Sequence, residues 1–377
     1  ASLAGICLLY SVVMLVEDTS TFSDNAWIPE IGLRGRQEIQ LPESDFVRID
    51  VYEGNENLGL YWERPSIQAF HSIVPASLME FYPSVGVKRD VSSKPEAKYY
   101  PLRSLLSVRW LFIKETNEEQ SPMPGYDYVE NQMGFNIYEN QNHLPMGFAY
   151  DSYITQREFD DTLQELRGNL LIKAVLLEEE AVARHGDILR PLTDDEITSL
   201  TETDYIADVR ARRATTADSF QTDNLGFTAT ITLDKESLVF FSVPWEQGWS
   251  AAVNGQPVQI EKASIGFMAV RVPAGRSVIR FDYRTYGLKH GAIIAAGALG
   301  VLLLYLLIGR KGKGRHSFRR TPLPTLPPLP LEARQAPPSP NQAGAPPPAD
   351  PQNPGGAMKD GWHRYEQMLE QQKRGDR

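Results

Sequence analysis

From Gly291 to Ile308 the chain carries no charged residue, and at about 1.5 Å per residue a helix over this run covers roughly 27 Å. That is close to the ~30 Å hydrocarbon core of a bilayer, so residues 288–309 are expected to form a complete transmembrane helix. Arg310, Lys311, Lys313, Arg315, Arg319 and Arg320 follow with no acidic residue among them, the flank that the positive-inside rule assigns to the cytoplasm. Everything before the span is then expected outside the cytoplasm. A second charge-free run, Ala1 to Val16, is short for a crossing and lacks a basic leader. It is expected to be a truncated transmembrane helix, with a signal-peptide remnant as the alternative. Ala292, Ala296 and Gly300 recur on one face of the later span and suit close helix packing, with upstream transmembrane helices of the same protein as the expected partners.

Between the two runs the pattern changes period. From Asp204 onward it is that of strands: Phe227, Ala229, Ile231 and Leu233 alternate with polar or small residues, and Ser237 to Val243 is apolar up to Pro244. Trp249–Val253 and Gln256–Ile260 flank Asn254-Gly255, a pair suited to a two-residue type I′ hairpin, and Pro257 predicts an edge position for the second strand. Ile265–Val272 and Ser277–Tyr283 flank a further turn at Pro273-Ala274-Gly275-Arg276. Residues 204–287 are therefore expected to be an antiparallel β-sandwich. Residues 17–203 read as a mixed α/β region, giving an α+β exterior overall. Strands are expected at Phe46–Val51, Val108–Ile113, Gly134–Tyr138 and Gly147–Tyr150, and helices at Ile73–Phe81 and Gln156–Leu177. Thr193 with Glu196 has the form of a capping box, placing a short helix near the seam at Arg190–Thr203.

Charge follows the same division. Residues 1–290 hold 26 Lys+Arg and 42 Asp+Glu, a net of −16, while residues 291–377 hold 12 and 6, a net of +6. An acidic exterior excludes nucleic acid as its partner. Cys7 is the single cysteine, so no intramolecular disulfide forms and the exterior rests on its apolar core. Beyond the span, 13 of the 27 prolines fall between Pro322 and Pro354, so residues 310–357 read as a basic, then Pro-rich disordered linker. Residues 358–377 read as a short helical tail, with Trp362, Tyr365 and Leu369 on one face.

The segment Val243-Pro244-Trp245-Glu246-Gln247-Gly248-Trp249-Ser250-Ala251-Ala252-Val253-Asn254-Gly255, followed by Gly266-Phe267-Met268-Ala269-Val270 and Pro273-Ala274-Gly275, resembles the carboxy-terminal region of the YfhO family of bacterial membrane proteins. Tyr138-Glu139-Asn140, Leu144-Pro145-Met146-Gly147-Phe148 and Asn169 to Leu176 are similar to the same family, in matching order. The resemblance implies a polytopic glycosyltransferase of the GT-C type, which glycosylates cell-surface polymers from a lipid-linked sugar. It also implies a bacterial cell membrane location, with the main domain extracytoplasmic and the tail cytoplasmic. The catalytic carboxylate of that superfamily sits in an early exterior loop that nothing here matches, so no catalytic residue is carried over. The Pro-rich tail departs from the family pattern.

Candidate chemistry is of the recognition kind. Trp245 and Trp249 bracket Glu246-Gln247-Gly248, where an indole can stack on a sugar face and a carboxylate can accept hydroxyl hydrogen bonds. The competing reading is that the indoles plug a core. Glu139, Asn140 and His143, together with Asn142, form a second polar set, which also reads as ordinary loop chemistry. His71, His185 and His290 have no spacing partner for a metal, and there is no GxSxG, phosphate-cradling glycine loop or HExxH. No cofactor is expected. The expected ligand is a cell-surface glycopolymer or a lipid-linked sugar, with a structural or glycan-binding module without enzymatic role as the alternative.

Overall fold

Apolar residues at alternate positions of Arg48–Tyr52 (β1) and Val108–Lys114 (β2) bring two distant segments into parallel register. In a computed structural model the described residues are 5, 7–13, 27–42, 46–52, 54, 57–68, 70, 73–88, 93–115 and 123–311. Tyr126–Gln132 (β3) and Phe135–Asn140 (β4) form a hairpin that completes a mixed sheet of order β1-β2-β4-β3. One face, with Ile49, Val51, Trp110, Phe112, Phe135 and Ile137, is covered by Leu58, Trp62 and the helical segment Ile28–Glu38. Gly35 is required there: a Cβ would stand 2.2 Å from Nε1 of Trp62.

Phe148–Tyr150 (β5) leaves this sheet for another. Ser152–Ile154 (β6), Val175–Leu176 (β7) and Arg190–Pro191 (β8) make a small parallel sheet, order β7-β6-β8, with helices in its crossovers. The expected helix Gln156–Leu177 is here two helices, Gln156–Asp161 and Arg167–Lys173. It breaks because Thr162 is extended and the Arg167 guanidinium takes the carbonyls of Asp160 and Thr162, satisfying acceptors at the first helix's end. The helix expected at Ile73–Phe81 runs from Ala76 to Ser84, because Pro75 sets its start and Ile73 is 90% exposed. The capping box of Thr193 and Glu196 is formed. The strand pattern expected from Asp204 begins only at Ser219: Glu202–Arg213 is a helix, capped by Thr201 and Asp204, with Tyr205, Val209 and Arg212 buried at helical spacing.

The remaining strands are Ser219–Thr222 (β9), Gly226–Leu233 (β10), Ser237–Phe241 (β11), Trp249–Val253 (β12), Gln256–Val258 (β13), Glu261–Ala263 (β14), Phe267–Val272 (β15) and Gly275–Tyr283 (β16). They form two antiparallel sheets, β13-β12-β16-β10-β9 and β14-β15-β11-β5. Asn254 and Gly255 both have positive φ, as a type I′ turn demands, and Pro257 lies in the edge strand β13. Phe227, Ile231, Ile279 and Phe281 of the first sheet share one buried cluster with Val239, Phe241, Met268 and Val270 of the second. The opposite face of the second sheet, with Phe148, Tyr150, Phe240 and Phe267, belongs to a cluster shared with the helices. β11 is thus buried on both faces, which is why Ser-Leu-Val-Phe-Phe is an apolar run rather than an alternation. The pairing of β5 with β11 also ties the segment before residue 204 into the later sheets.

The chain divides into two units at Tyr305, inside the last helix. Every sheet among the described residues lies in the first unit. The last helix runs Leu288–Lys311, and its stretch Leu288–Ile308 is the one helix among the described residues long and apolar enough to cross a membrane. Of the expected N-terminal span, residues 7–13 are helical and much of the rest lies outside the described residues, as do the Pro-rich linker and the tail helix.

Candidate functional site

β11 must turn sharply at Pro244 to reach β12, and the turn carries the Trp245 to Trp249 set. The backbone N–H of Trp245 donates to the carbonyl of Gly266 (2.9 Å), and its half-buried indole has the Lys262 ammonium 5.9 Å from the ring centre. Trp249 packs on Phe227, Phe281 and Tyr283, and its Nε1–H donates to the Pro244 carbonyl (3.2 Å). The hydroxyl of Tyr283 donates to Oε2 of Glu246 (2.5 Å), and this bond raises the Tyr283 pKa. Gly248 passes so close to β16 that a Cβ would stand 2.3 Å from the Arg284 carbonyl. The set is thus held together: Trp249 packs on three rings, one Glu246 oxygen is engaged, and both indoles are half-buried.

Beside it lies a cavity of about 340 Å³ walled by Phe46, Phe220, Phe227, Trp249 and Tyr283, with Arg48 also lining it. Nη1 of Arg48 donates to the Leu106 carbonyl (2.8 Å) and Ser242 Oγ (2.9 Å), and Nη2 to the Ser242 carbonyl (2.9 Å). Its guanidinium stacks over Phe46 at 5.4 Å. No carboxylate among the described residues pairs with it. Burial lowers its pKa to about 10, partly offset by Tyr82, so it is a cation at neutral pH. The one lining carboxylate, Asp223, is gripped by Arg280 at 2.6 Å, which holds its pKa at about 2.

The second polar set lies on another sheet, and no hydrogen bond, ion pair or ring contact among the described residues joins it to the first. Glu139 pairs with Arg109 (2.7 Å). Asn140 is interior, donating to the Val108 carbonyl and accepting from the Asn142 N–H. Its amide is committed to the fold. His143 lies 3.2 Å from the Asn140 carbonyl through Nδ1, and burial, reinforced by Arg213, depresses its pKa to about 4.

Residues 34–188 and 190–295 match the family described as bacterial membrane protein YfhO. The chain belongs to that family. The uncharacterized protein YfhO of Bacillus subtilis (strain 168) is 31% identical over 98 residues, which make up 26% of this chain and 11% of that relative. The chain therefore matches only a small part of that relative's length. No solved structure matches the chain. Family membership and the apolar helix together place this YfhO-family chain in a membrane.

Sequence reasoning missed the cavity of this YfhO-family chain because its walls come from residues 46–48, 220–227, 243–249 and 283, and no local spacing links them. It also left His185 without a partner. The fold brings its Nε2 to 3.0 Å from Oε1 of Glu261, which Arg184 grips as well. Burial pushes the Glu261 carboxyl up, but the bonds from His185 and Arg184 outweigh it and hold the pKa at about 2. Among the described residues no group of His, Cys, Asp and Glu is arranged to hold a metal ion.

His143 makes the stability pH-dependent in a definite window. Its folded pKa lies below the unfolded value of about 6.5, so below that pH the unfolded chain takes up a proton the folded chain refuses. The stability it contributes is complete above pH 6.5 and is lost as the pH falls toward 4, by about 2–3 kcal/mol. Urea unfolding at pH 7 and pH 5 is expected to show this loss in the native chain and a smaller one in His143→Gln. Between pH 7 and pH 5 the depressed carboxylates add little, because Glu196, Asp223 and Glu261 lose their contributions mainly below about pH 4.5.

Proposed function

We propose that this chain is the carboxy-terminal extracytoplasmic module and last span of a YfhO-family glycosyltransferase, acting in the bacterial cell envelope from a lipid-linked sugar. The module itself is non-catalytic and presents acceptor glycan to a reaction centre held by upstream helices. Two antiparallel sheets form a β-sandwich, a reading supported by their shared apolar cluster. The observation that carries the functional reading is the Trp245–Glu246–Gln247–Gly248–Trp249 turn beside an aromatic-walled cavity at one end of those sheets. Aromatic faces with a few fixed polar groups are what carbohydrate contact requires.

Titration of the detergent-solubilised chain with cell-envelope glycans, by calorimetry, tests this. Binding is expected, with at least a tenfold loss in Trp245→Ala, equivalent to about 1.4 kcal/mol. Binding unchanged by that substitution contradicts the assignment. The chain alone is also expected to transfer no sugar from a lipid-linked donor.

A second reading, a membrane-anchored structural module with no enzymatic role, draws on Trp249, whose contacts are those of a packing anchor. Absence of any glycan binding by the intact chain favours it. A hidden hydrolase has less support: two facing carboxylates are needed, and the cavity has Asp223 alone among its described lining residues.

A further inference from the structure

Arg48 is the feature of the cavity that the glycan reading leaves unexplained. A guanidinium has five N–H donors, and the described contacts use both of those on Nη1 and one on Nη2. The Nε–H and the second Nη2–H have no partner among the described residues. Nε is not among the buried polar atoms lacking a bond, and the residue as a whole is half-buried rather than enclosed. A cation is therefore fixed by backbone, hydroxyl and thioether acceptors, with no carboxylate paired to it among the described residues, at the wall of a cavity lined by five aromatic rings together with Leu225, Val243 and the polar Thr222 and Asn224. The carboxylate among the described lining residues does not compensate, because Asp223 is taken by Arg280.

Two other buried cations show the contrast. Arg103 is paired with Asp50 at 2.7 Å, and Arg212 with Asp151 at 2.6 Å. Burying an uncompensated charge is costly, and a partner arriving from outside removes that cost. A guanidinium with free N–H groups on adjacent nitrogens matches two oxygens of one carboxylate or phosphate.

We propose that the cavity is a binding site for a single sugar ring bearing one anionic group, a carboxylate or a phosphate, with the anion on Arg48 and the ring against Phe46, Phe220 and Trp249. The volume of about 340 Å³ falls in the range of small-molecule sites and suits one such unit. This rests on the glycan-recognition reading but moves the decisive contact from Trp245 to Arg48. The anion selects and the rings supply area.

Calorimetry on the detergent-solubilised chain, with glucuronate, glucose 6-phosphate and glucose as probes, distinguishes the two claims. At least one anionic sugar is expected to bind ten times or more tightly than glucose, with affinity falling as salt rises; the stronger of the two anions identifies the group. Arg48→Lys, which keeps the charge but loses the fork, is expected to weaken that binding at least fivefold. Because Arg48 also holds Ser242 and Leu106, a second variant leaves it in place: Val243→Trp fills the cavity from a half-buried lining position and is expected to abolish anionic-sugar binding. Equal affinity for glucose and both anions overturns the anion claim while leaving glycan recognition standing. Undiminished anion binding in Val243→Trp overturns the location, and no binding of any probe overturns the proposal outright.

Discussion

Asp50→Ala is expected to lower the stability of the sheet-bearing unit by about 3–5 kcal/mol, among the largest losses any single substitution produces here. Asp50 and Arg103 both have fully buried side chains, joined Nε to Oδ2 at 2.7 Å. Gln68 donates to the other carboxylate oxygen, and the Arg103 guanidinium also serves the carbonyls of Pro95 and Glu96. The arrangement knots β1 to the helix Pro101–Leu105 and to the segment before it. Removing the aspartate leaves a guanidinium charge in the interior with two carbonyls and the Tyr52 ring as its described partners and no anion. The sign of the double replacement differs. Asp50→Leu with Arg103→Met removes both charges and is expected to recover most of the loss, because the pair's attraction only offsets its desolvation. Urea unfolding of the detergent-solubilised chain, followed by tryptophan fluorescence, measures both.

Phe241→Ala is the second large effect, with an expected loss of about 3–5 kcal/mol. Phe241 is fully buried in β11, yet its ring meets rings of the other sheet: Phe227 at 5.1 Å and Phe281 at 5.4 Å. Truncation there opens a void between layers that the β-sheet backbones are too constrained to close. The same substitution tests the sandwich. A double-mutant cycle with Phe281→Ala is expected to give a coupling of about 0.5–1.5 kcal/mol across the sheets, the ring-pair contribution beyond area. Simple additivity of the two losses contradicts face-to-face packing.

How far residues alone reveal this fold depends on how local the forces are. β10, β12 and β16 are readable because one face is apolar and the turns carry their own chemistry, as at Asn254-Gly255. β1 and β4 are readable from their alternating apolar positions, and β2 from its apolar run, since its residues feed clusters on both faces. The helix Glu202–Arg213 is hidden because it is mostly polar, with Tyr205, Val209 and Arg212 as its buried contacts, and the Thr201–Asp204 capping box was its one local signature. The break at Thr162 is hidden because Arg167 stabilises it through long-range and backbone contacts, including the Ser84 carbonyl. At the candidate site the turn from Trp245 to Trp249 is contiguous and visible. Arg48 is not, since its importance comes from what fails to stand beside it. Asn140 runs the other way: a polar residue that the sequence also lets stand as loop chemistry lies at the end of β4 as an interior hydrogen-bonding element.

The central claim is that the unit built from the sheets faces away from the cytoplasm and the chain beyond the apolar helix faces into it. Cysteine accessibility in intact cells measures this directly, starting from a Cys7→Ala background. A membrane-impermeant maleimide is expected to label Gln247→Cys, at an exposed position of the turn, in intact cells. Ser317→Cys is expected to react only after the membrane is permeabilised. Labelling of Ser317→Cys in intact cells, with Gln247→Cys protected until permeabilisation, contradicts the account.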